Sequence, residues 1–83
     1  MTEQQHFNLG NKQRQALKER LANQLLAFRQ RHLFSQRQLA EALRCSRRCL
    51  QYAEAGAQLM HMGTRQRFRD LRKEFRENEA KAA

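Results

Sequence analysis

The 83-residue sequence contains no valine, isoleucine, proline or tryptophan, and only three glycines. Valine and isoleucine are typical of β-strands, so their absence argues against a sheet. The apolar residues are instead eleven Leu, eleven Ala, five Phe and three Met. Leu, Ala and Met, with the abundant Gln and Arg, favour helices. We therefore expect an all-α fold in a single small domain.

Long hydrophobic runs and negative charges are also scarce. No apolar segment approaches the roughly 18 residues of a membrane span. Residues 1–10 lack the basic-then-apolar pattern of an export signal, so we expect a cytoplasmic protein. Lys and Arg total 17 against 8 Asp and Glu, which gives a net charge of +9. Such an excess indicates a polyanionic partner such as nucleic acid.

The spacing of apolar residues predicts a bundle of four to five helices after a polar N-terminal segment, residues 1–10, with a turn at Asn8–Gly10. The helical domain spans residues 11–79. Asn11 is the expected N-cap of the first helix, which fades at Arg31–His32 and is either one helix or two with a bend. The inward stripe of this helix consists of Leu17, Leu21, Leu25 and Phe28.

Two serines predict the starts of two short helices within residues 35–56. Ser35 has Gln38 three positions later, which is the capping-box pattern. Ser46 is a second N-cap, and Gly56 is expected to end the helix that follows. The two helices would be separated by little more than Arg44 and Cys45, as in a helix-turn-helix.

The last predicted helix covers residues 64–79, with Thr64 as its cap and residues 80–83 as a frayed tail. Its apolar stripe is formed by Phe68, Leu71 and Phe75. This stripe is either core or, in part, the contact of a two-fold dimer. A basic face surrounds it.

Residues 34–56 resemble the helix-turn-helix of the Cro and phage-repressor (XRE-type) family. The matching positions are Ser35, Gln36, Leu39, Ala40, Leu43, Ser46, Glu54 and Gly56, with Phe34 and Leu50 as conservative replacements. With the preceding helix, the resemblance covers residues 21–56. It implies a lambda-repressor-like fold.

Three positions depart from the family pattern. Arg44 stands where the family has a turn glycine, so we expect an arginine in left-handed backbone geometry. Cys45 replaces a valine of similar size. Ala53 replaces a tryptophan, and Phe68 or Met60 is expected to fill the space.

The resemblance implies a role for each matching residue. It places base contacts at Arg47, Arg48, Gln51 and Tyr52. It places a phosphate contact at Gln36 and a structural ion pair between Arg29 and Glu54. Ser46 is first a helix cap and is also expected to contact phosphate. Arg37 and Arg44 are either phosphate contacts or simple solvated charges. Arg47 and Arg48 fall in the first turn of their helix, where positive charge is unfavourable because of the helix dipole. Arginine can also form two hydrogen bonds to guanine. Both points favour a functional role for this pair.

These observations predict a homodimeric transcriptional regulator on a near-palindromic DNA operator. The 83 residues leave no room for a sensor or activation domain, so we expect a repressor of a phage or mobile-element operon, acting by promoter occlusion. The main alternative is an antitoxin or other interaction protein that binds a partner protein. Non-specific nucleoid or RNA binding, and attachment of the basic helices to a membrane surface, are weaker alternatives.

Catalysis and cofactor chemistry are not expected. No nucleophile–base pair, paired carboxylates or phosphate-binding glycine loop is apparent, so we predict that the protein is no enzyme and takes no cofactor or small-molecule substrate. Cys45 and Cys49 are four residues apart and could form a redox switch or half a metal site. We expect instead two small packed residues and no metal, because His32 and His61 are isolated.

Overall fold

The structure is a computed structural model that describes residues 10–82, which form four α-helices and no strand. The helices are α1 (Asn11–His32), α2 (Gln36–Leu43), α3 (Arg47–Glu54) and α4 (Met62–Ala82). The all-α prediction is confirmed. The polar segment predicted for residues 1–10, with most of the Asn8–Gly10 turn, lies outside the described residues except for Gly10, as does Ala83 of the tail.

Helix α1 is one continuous helix of 22 residues. The prediction that Asn11 is its N-cap is wrong by one position. Gly10 is the cap because its backbone is extended, and its N–H donates to Oε1 of Gln13 at 3.2 Å. The packed part of α1 begins only at Leu21, so its first two and a half turns extend beyond the core.

The connection between α1 and α2 reverses the chain at Leu33. This residue has left-handed backbone geometry, with φ 59°, and its side chain is 87 % exposed. The next residue, Phe34, donates its N–H to the carbonyl of Arg29 at 3.0 Å, which closes the helix end. Helix α2 then starts with the predicted capping box. The N–H of Gln38 donates to Ser35 Oγ at 3.0 Å, and the N–H of Ser35 donates to Gln38 Oε1 at 2.9 Å.

Helices α2 and α3 are joined by Arg44, Cys45 and Ser46 alone. Arg44 has the expected left-handed geometry, with φ 57°. The N–H of Cys45 donates to the carbonyl of Ala40 at 3.0 Å, which repeats the helix end seen after α1. Ser46 is the predicted second N-cap, because its Oγ accepts from the N–H of Cys49 at 3.0 Å.

Helix α4 begins earlier and ends later than the sequence predicts. Thr64 is no cap but lies buried inside the first turn. The ring nitrogen Nδ1 of His61 accepts instead from the N–H of Gly63 at 3.3 Å, so the helix can start at Met62. Residues 80–82, predicted to fray, continue the helix. Gly56 has a positive φ of 73° after α3, as its predicted role in ending that helix requires.

The core is formed by side chains from all four helices and from the segment between α3 and α4. Leu25, Leu39, Leu43 and Leu50 are fully buried at its centre. The space left by Ala53 adjoins a cluster that includes both Met60 and Phe68, the two residues predicted to fill it.

An aromatic cluster closes α1 against α4. The ring of Phe28 lies 5.4 Å from Phe34, 5.6 Å from Phe68 and 5.4 Å from Phe75, mostly edge to face. His32 adds a ring 4.6 Å from Phe75. Beyond the rings, Nη2 of Arg31 lies 2.6 Å from Oε2 of Glu79.

The first role predicted for the α4 stripe, core packing, describes Phe68, which is only 2 % exposed within one molecule. Leu71 and Phe75 are half-buried against the same core. Part of their apolar surface is therefore used inside the monomer, that of Phe75 against the rings of Phe28 and Phe34.

Across the described residues, none of the helices combines the length and the apolar character needed to cross a membrane.

Candidate nucleic-acid interface

Helix α3 exposes one continuous polar face to solvent. Its side chains at positions 47, 48, 51 and 52 are all exposed, and Tyr52 is 46 % accessible. This spacing places them within one side of a helix. The opposite side holds Leu50 and Ala53, at 0 % and 1 % exposure. The four residues predicted to contact bases thus share one surface.

Positive charge is concentrated at the N-terminus of α3 and in the α2–α3 connection, residues 44–46. Arg44, Arg47 and Arg48 are exposed, and none of them makes an ion pair with a described carboxylate. Arg47 and Arg48 lie in the first turn of α3, where the helix dipole disfavours positive charge by a few tenths of a kcal/mol each. An anion bound beside them would remove this penalty.

A network of four polar side chains fixes the inner edge of α3. The carboxylate of Glu54 lies 3.0 and 3.2 Å from Nη1 of Arg29 on α1, so the predicted ion pair is present. The same carboxylate accepts from Nε2 of Gln36 on α2 at 2.8 Å. Gln36 Oε1 in turn accepts from Nε2 of Gln51 at 3.4 Å.

This network joins three helices at one carboxylate. The side chain of Glu54 is 5 % exposed and that of Arg29 is 23 % exposed, so the pair is shielded from most of the solvent. Nε of Arg29 also donates to the carbonyl of Phe34 at 3.3 Å, which ties the α1–α2 connection to the same group. The orientation of α3 relative to α1 and α2 is therefore set by directional bonds as well as by packing.

The side chain of Gln36 is used differently from what the resemblance implies. It was expected to grip a phosphate, but in the structure its half-buried amide donates to Glu54. The bare spacing of the sequence does not reveal this, because Glu54 is 18 residues away. The bond to Glu54 uses one of the two N–H donors of the Gln36 amide, so the second donor and the backbone N–H at the start of α2 remain for a phosphate.

The other residues predicted to contact phosphate lie at the surface. Arg44 and Ser46 are exposed beside the start of α3. Arg37 is exposed on α2, and its Nε lies 3.5 Å from Oε1 of Glu41 one turn later. Both side chains of that pair are more than two-thirds accessible, so the interaction is weak and easily replaced by a phosphate.

Arg67 of α4 stabilises the connection between α2 and α3, a role that the sequence does not indicate. Its Nε donates to the carbonyl of Leu43, the last residue of α2, at 2.7 Å. Its Nη2 lies 3.4 Å from Oγ1 of the buried Thr64. A positive group at a helix C-terminus also interacts favourably with the helix dipole. Among many arginines on α4, nothing in the spacing singles out this one.

The two cysteines are unbridged and half-buried behind the connection. Burial raises the pKa of the Cys45 thiol above its usual value, and the neighbouring Cys49 raises it further, while Arg67 acts in the opposite direction. A raised pKa keeps Cys45 protonated and poorly nucleophilic. Within residues 10–82, no three side chains of His, Cys, Asp or Glu come together in a way that could hold a metal ion.

The surface thus offers arginine donors, helix N-terminal amides and a phenol on a rigidly held helix. Such groups suit a ligand with negative charge and with hydrogen-bond acceptors at its edges. Searches of protein-family models, of curated proteins and of solved structures return no match to this chain.

Proposed function

We propose that this protein is a sequence-specific DNA-binding regulator of the helix-turn-helix type, with α3 as its recognition helix. The observation that carries the proposal is the exposed pair Arg47 and Arg48, unpaired with any described carboxylate, on a helix whose other side is bonded to α1 and α2 through Glu54. A helix held in this way can present the two arginines in a fixed geometry.

The physical argument for base recognition rests on the shape and chemistry of α3. An α-helix fits the major groove of B-DNA, where guanine presents O6 and N7 to a guanidinium. Each such bidentate contact contributes about 1–3 kcal/mol of discrimination. Gln51 and Tyr52 lie on the same face and would contact neighbouring bases.

Phosphate contacts would hold the recognition helix in place. Arg44 and Ser46 flank the N-terminus of α3, and the start of α2 carries Arg37. Phosphate contacts of this kind set position and orientation, while base contacts set sequence preference.

The proposed biological role is repression by a homodimer. Two copies would place their α3 helices in successive major grooves about 34 Å apart on a near-palindromic operator. Occupation of such a site in a phage or mobile-element promoter, the protein's own included, would exclude RNA polymerase. We propose that it acts in the cytoplasm, where such operons are transcribed.

Selection from random DNA duplexes tests this proposal. The protein is incubated with the library at about 0.15 M salt, because non-specific binding weakens steeply with salt, and the bound fraction is sequenced. We expect an enriched inverted repeat with half-sites about one helical turn apart. The Arg47→Ala, Arg48→Ala double variant serves as control and should lose the enrichment. If the wild-type protein binds DNA without any sequence preference, the proposal is refuted.

A further inference from the structure

A groove runs along the seam between α1 and α4, on a different side of α1 from α3. It consists of two adjoining cavities, of about 280 and 360 Å³, that share Gln24 and Arg72 in their walls. Along α1 it extends from Leu17 to Arg31, which is about 20 Å at the helical rise per residue. This length matches four turns of a helix lying in the groove.

The rim of the groove is strongly basic. Its arginines are Arg20, Arg31, Arg65, Arg69, Arg72 and Arg76. The only carboxylate in the walls is Glu79, at the far end, where it pairs with Arg31. Five of the six arginines therefore face the groove without an ion pair among the described residues.

The floor of the groove is apolar. Leu21 and Phe68 line it from the core, at 7 % and 2 % exposure, and the half-buried Leu17 lines the same cavity. Met62 stands at its edge with 63 % of its surface exposed, although it is a large apolar side chain. A groove with an apolar floor and a charged rim is complementary to an amphipathic helix of the opposite charge.

Arg65 in the wall of the groove has a donor without a partner. Its Nε is buried but finds no hydrogen-bond acceptor within residues 10–82. Buried donors are nearly always satisfied, so the present position of this guanidinium is unfavourable, and an acceptor in the groove would stabilise the side chain once it turned outward. A carboxylate would provide both the acceptor and the compensating charge.

We propose that this groove binds an acidic amphipathic helix of a partner protein, with its apolar side chains on Leu17, Leu21 and Met62 and its carboxylates on Arg65, Arg69 and Arg72. The inference does not depend on DNA binding by α3, since Arg29, which holds α3, lies on another side of α1. A regulator of this kind would carry two separate surfaces, one for nucleic acid and one for protein.

Two other occupants fit less well. A DNA backbone would satisfy the arginines but would gain nothing from the apolar floor. A second copy of this chain offers an acidic stripe on α4, formed by Asp70, Glu74 and Glu77. The apolar residue beside that stripe, Leu71, packs against the core of its own molecule, so the stripe could not cover Met62 and Leu17.

The test measures fluorescence anisotropy of a labelled peptide of about 16 residues, long enough to span the groove. The peptide is a designed helix with Leu along one side and Glu on both flanks of that side. A second peptide has the same composition in scrambled order, so that its leucines share no side. Protein variants are Arg69→Glu and Met62→Ser in the groove. Lys73→Glu is the matched control, one turn away from Arg69 on α4 and outside the groove.

We expect the amphipathic peptide to bind at least about tenfold more tightly than the scrambled one, which is the effect of about 1.4 kcal/mol. Arg69→Glu and Met62→Ser should each weaken its binding several-fold, and Lys73→Glu should leave it within about twofold. Equal binding of both peptides, or equal effects of Arg69→Glu and Lys73→Glu, would overturn the proposal and leave only general charge attraction.

A parallel titration with DNA distinguishes this proposal from that of DNA binding by α3. A duplex of about 20 base pairs, enough for two half-sites, is titrated against the same variants. Met62→Ser should leave duplex binding unchanged while it weakens the peptide. If Arg69→Glu weakens the duplex as strongly as the peptide and Met62→Ser affects neither, the groove is a phosphate-binding surface and the proposed protein partner is wrong. Loss of duplex binding alone would bear only on the function of α3.

Discussion

Arg67 on α4 donates from Nε to the carbonyl oxygen of Leu43, the last residue of α2, at 2.7 Å. The bond crosses from one helix to the end of another and occupies a carbonyl that α2 itself cannot use. Helix α4 thereby supports the connection that leads into α3, although it contributes no residue to the exposed face of α3.

Replacement of Arg67 should destabilise the protein measurably. Arg67→Met keeps the apolar stem but removes the charged donor, and charge-assisted hydrogen bonds contribute about 1.5–3 kcal/mol. We expect a loss near the lower end, about 1.5 kcal/mol, because water can reach part of the side chain. Urea unfolding followed by circular dichroism measures it. Arg69→Met, on the exposed surface of α4, is the control and should change the free energy of unfolding by less than about 0.5 kcal/mol.

Glu54→Gln should be among the most destabilising single substitutions of a polar residue on α3. The substitution leaves Arg29 shielded and without its counter-charge, and breaking a buried pair costs about 3–5 kcal/mol. Because Arg29 retains 23 % exposure, we expect about 2–3 kcal/mol.

The exposed pair of Arg37 and Glu41 gives the matched comparison. Glu41→Gln removes the same charge in an open setting, where the cost is below about 1 kcal/mol. Both variants are compared by urea unfolding under identical buffer conditions. If the two variants lost similar free energies of unfolding, the role of Glu54 in joining three helices would be contradicted.

Arg44→Gly should separate stability from DNA binding. Glycine adopts positive φ without strain, so the substitution should stabilise the fold by up to about 1 kcal/mol. It also removes one predicted phosphate contact, which should weaken binding to every duplex alike and reduce the salt dependence. Unfolding and duplex titration on one preparation test both effects. Arg48→Gly, in the first turn of α3 where the backbone is helical, should instead destabilise by up to about 0.5–1 kcal/mol.

Arg47→Ala and Arg48→Ala should relax base preference. Each is expected to lose about 1–3 kcal/mol of discrimination at one base pair. Arg14→Ala, near the exposed start of α1, should weaken binding to specific and random DNA equally. Competition titrations with operator-like and random duplexes distinguish the two outcomes. Equal losses on both duplexes for Arg47→Ala would refute the assignment of α3 as the recognition helix.

Cys45 should react slowly with iodoacetamide near neutral pH. Burial and the adjacent Cys49 raise the pKa of its thiol, so less thiolate is present than in an open peptide. The alkylation rate, followed by mass spectrometry, should keep rising at pH values where a free cysteine has levelled off. Cys49→Ser should shift the profile back toward lower pH.

The same pKa shift has a consequence for stability. The pKa of the Cys45 thiol is higher in the folded than in the unfolded state. Its favourable contribution to the free energy of unfolding is therefore complete below the unfolded-state pKa and is lost as the pH rises through the folded-state pKa. Unfolding curves at increasing alkaline pH should therefore show a decline that is smaller in Cys45→Ala.

Local patterns in the sequence predicted those parts of the fold that depend on nearby residues. The capping box of Ser35 and Gln38 needs only three positions. The left-handed geometry of Arg44 was expected from the resemblance, which has a turn glycine at this position. Composition alone sufficed for the helical class. The Arg29–Glu54 pair lies 25 residues apart and was reached through the family resemblance instead.

Features that depend on distant partners were not predictable in this way. The Gln36 amide could bind either a phosphate or Glu54, and only the packing of α2 on α3 brings the carboxylate within 2.8 Å. Thr64 has the side chain of a cap, yet His61 accepts the N–H of Gly63 and α4 begins earlier. Arg67 is chemically identical to its neighbours on α4, so its bond to Leu43 is decided by tertiary geometry alone.

The ring of Phe28 contacts Phe34, Phe68 and Phe75, so the first and fourth described helices meet in one aromatic cluster. Arg31 and Glu79, at the same junction, are 48 positions apart in the chain. Translation adds Phe68 and Phe75 only after α1, α2 and α3 have been synthesised. Helix α1 can already pack against α3, but until α4 is present the ring of Phe28 lacks two of its three phenylalanine partners. Contacts between residues so far apart in the chain slow folding. The addition of α4 is therefore the last step that the native core requires.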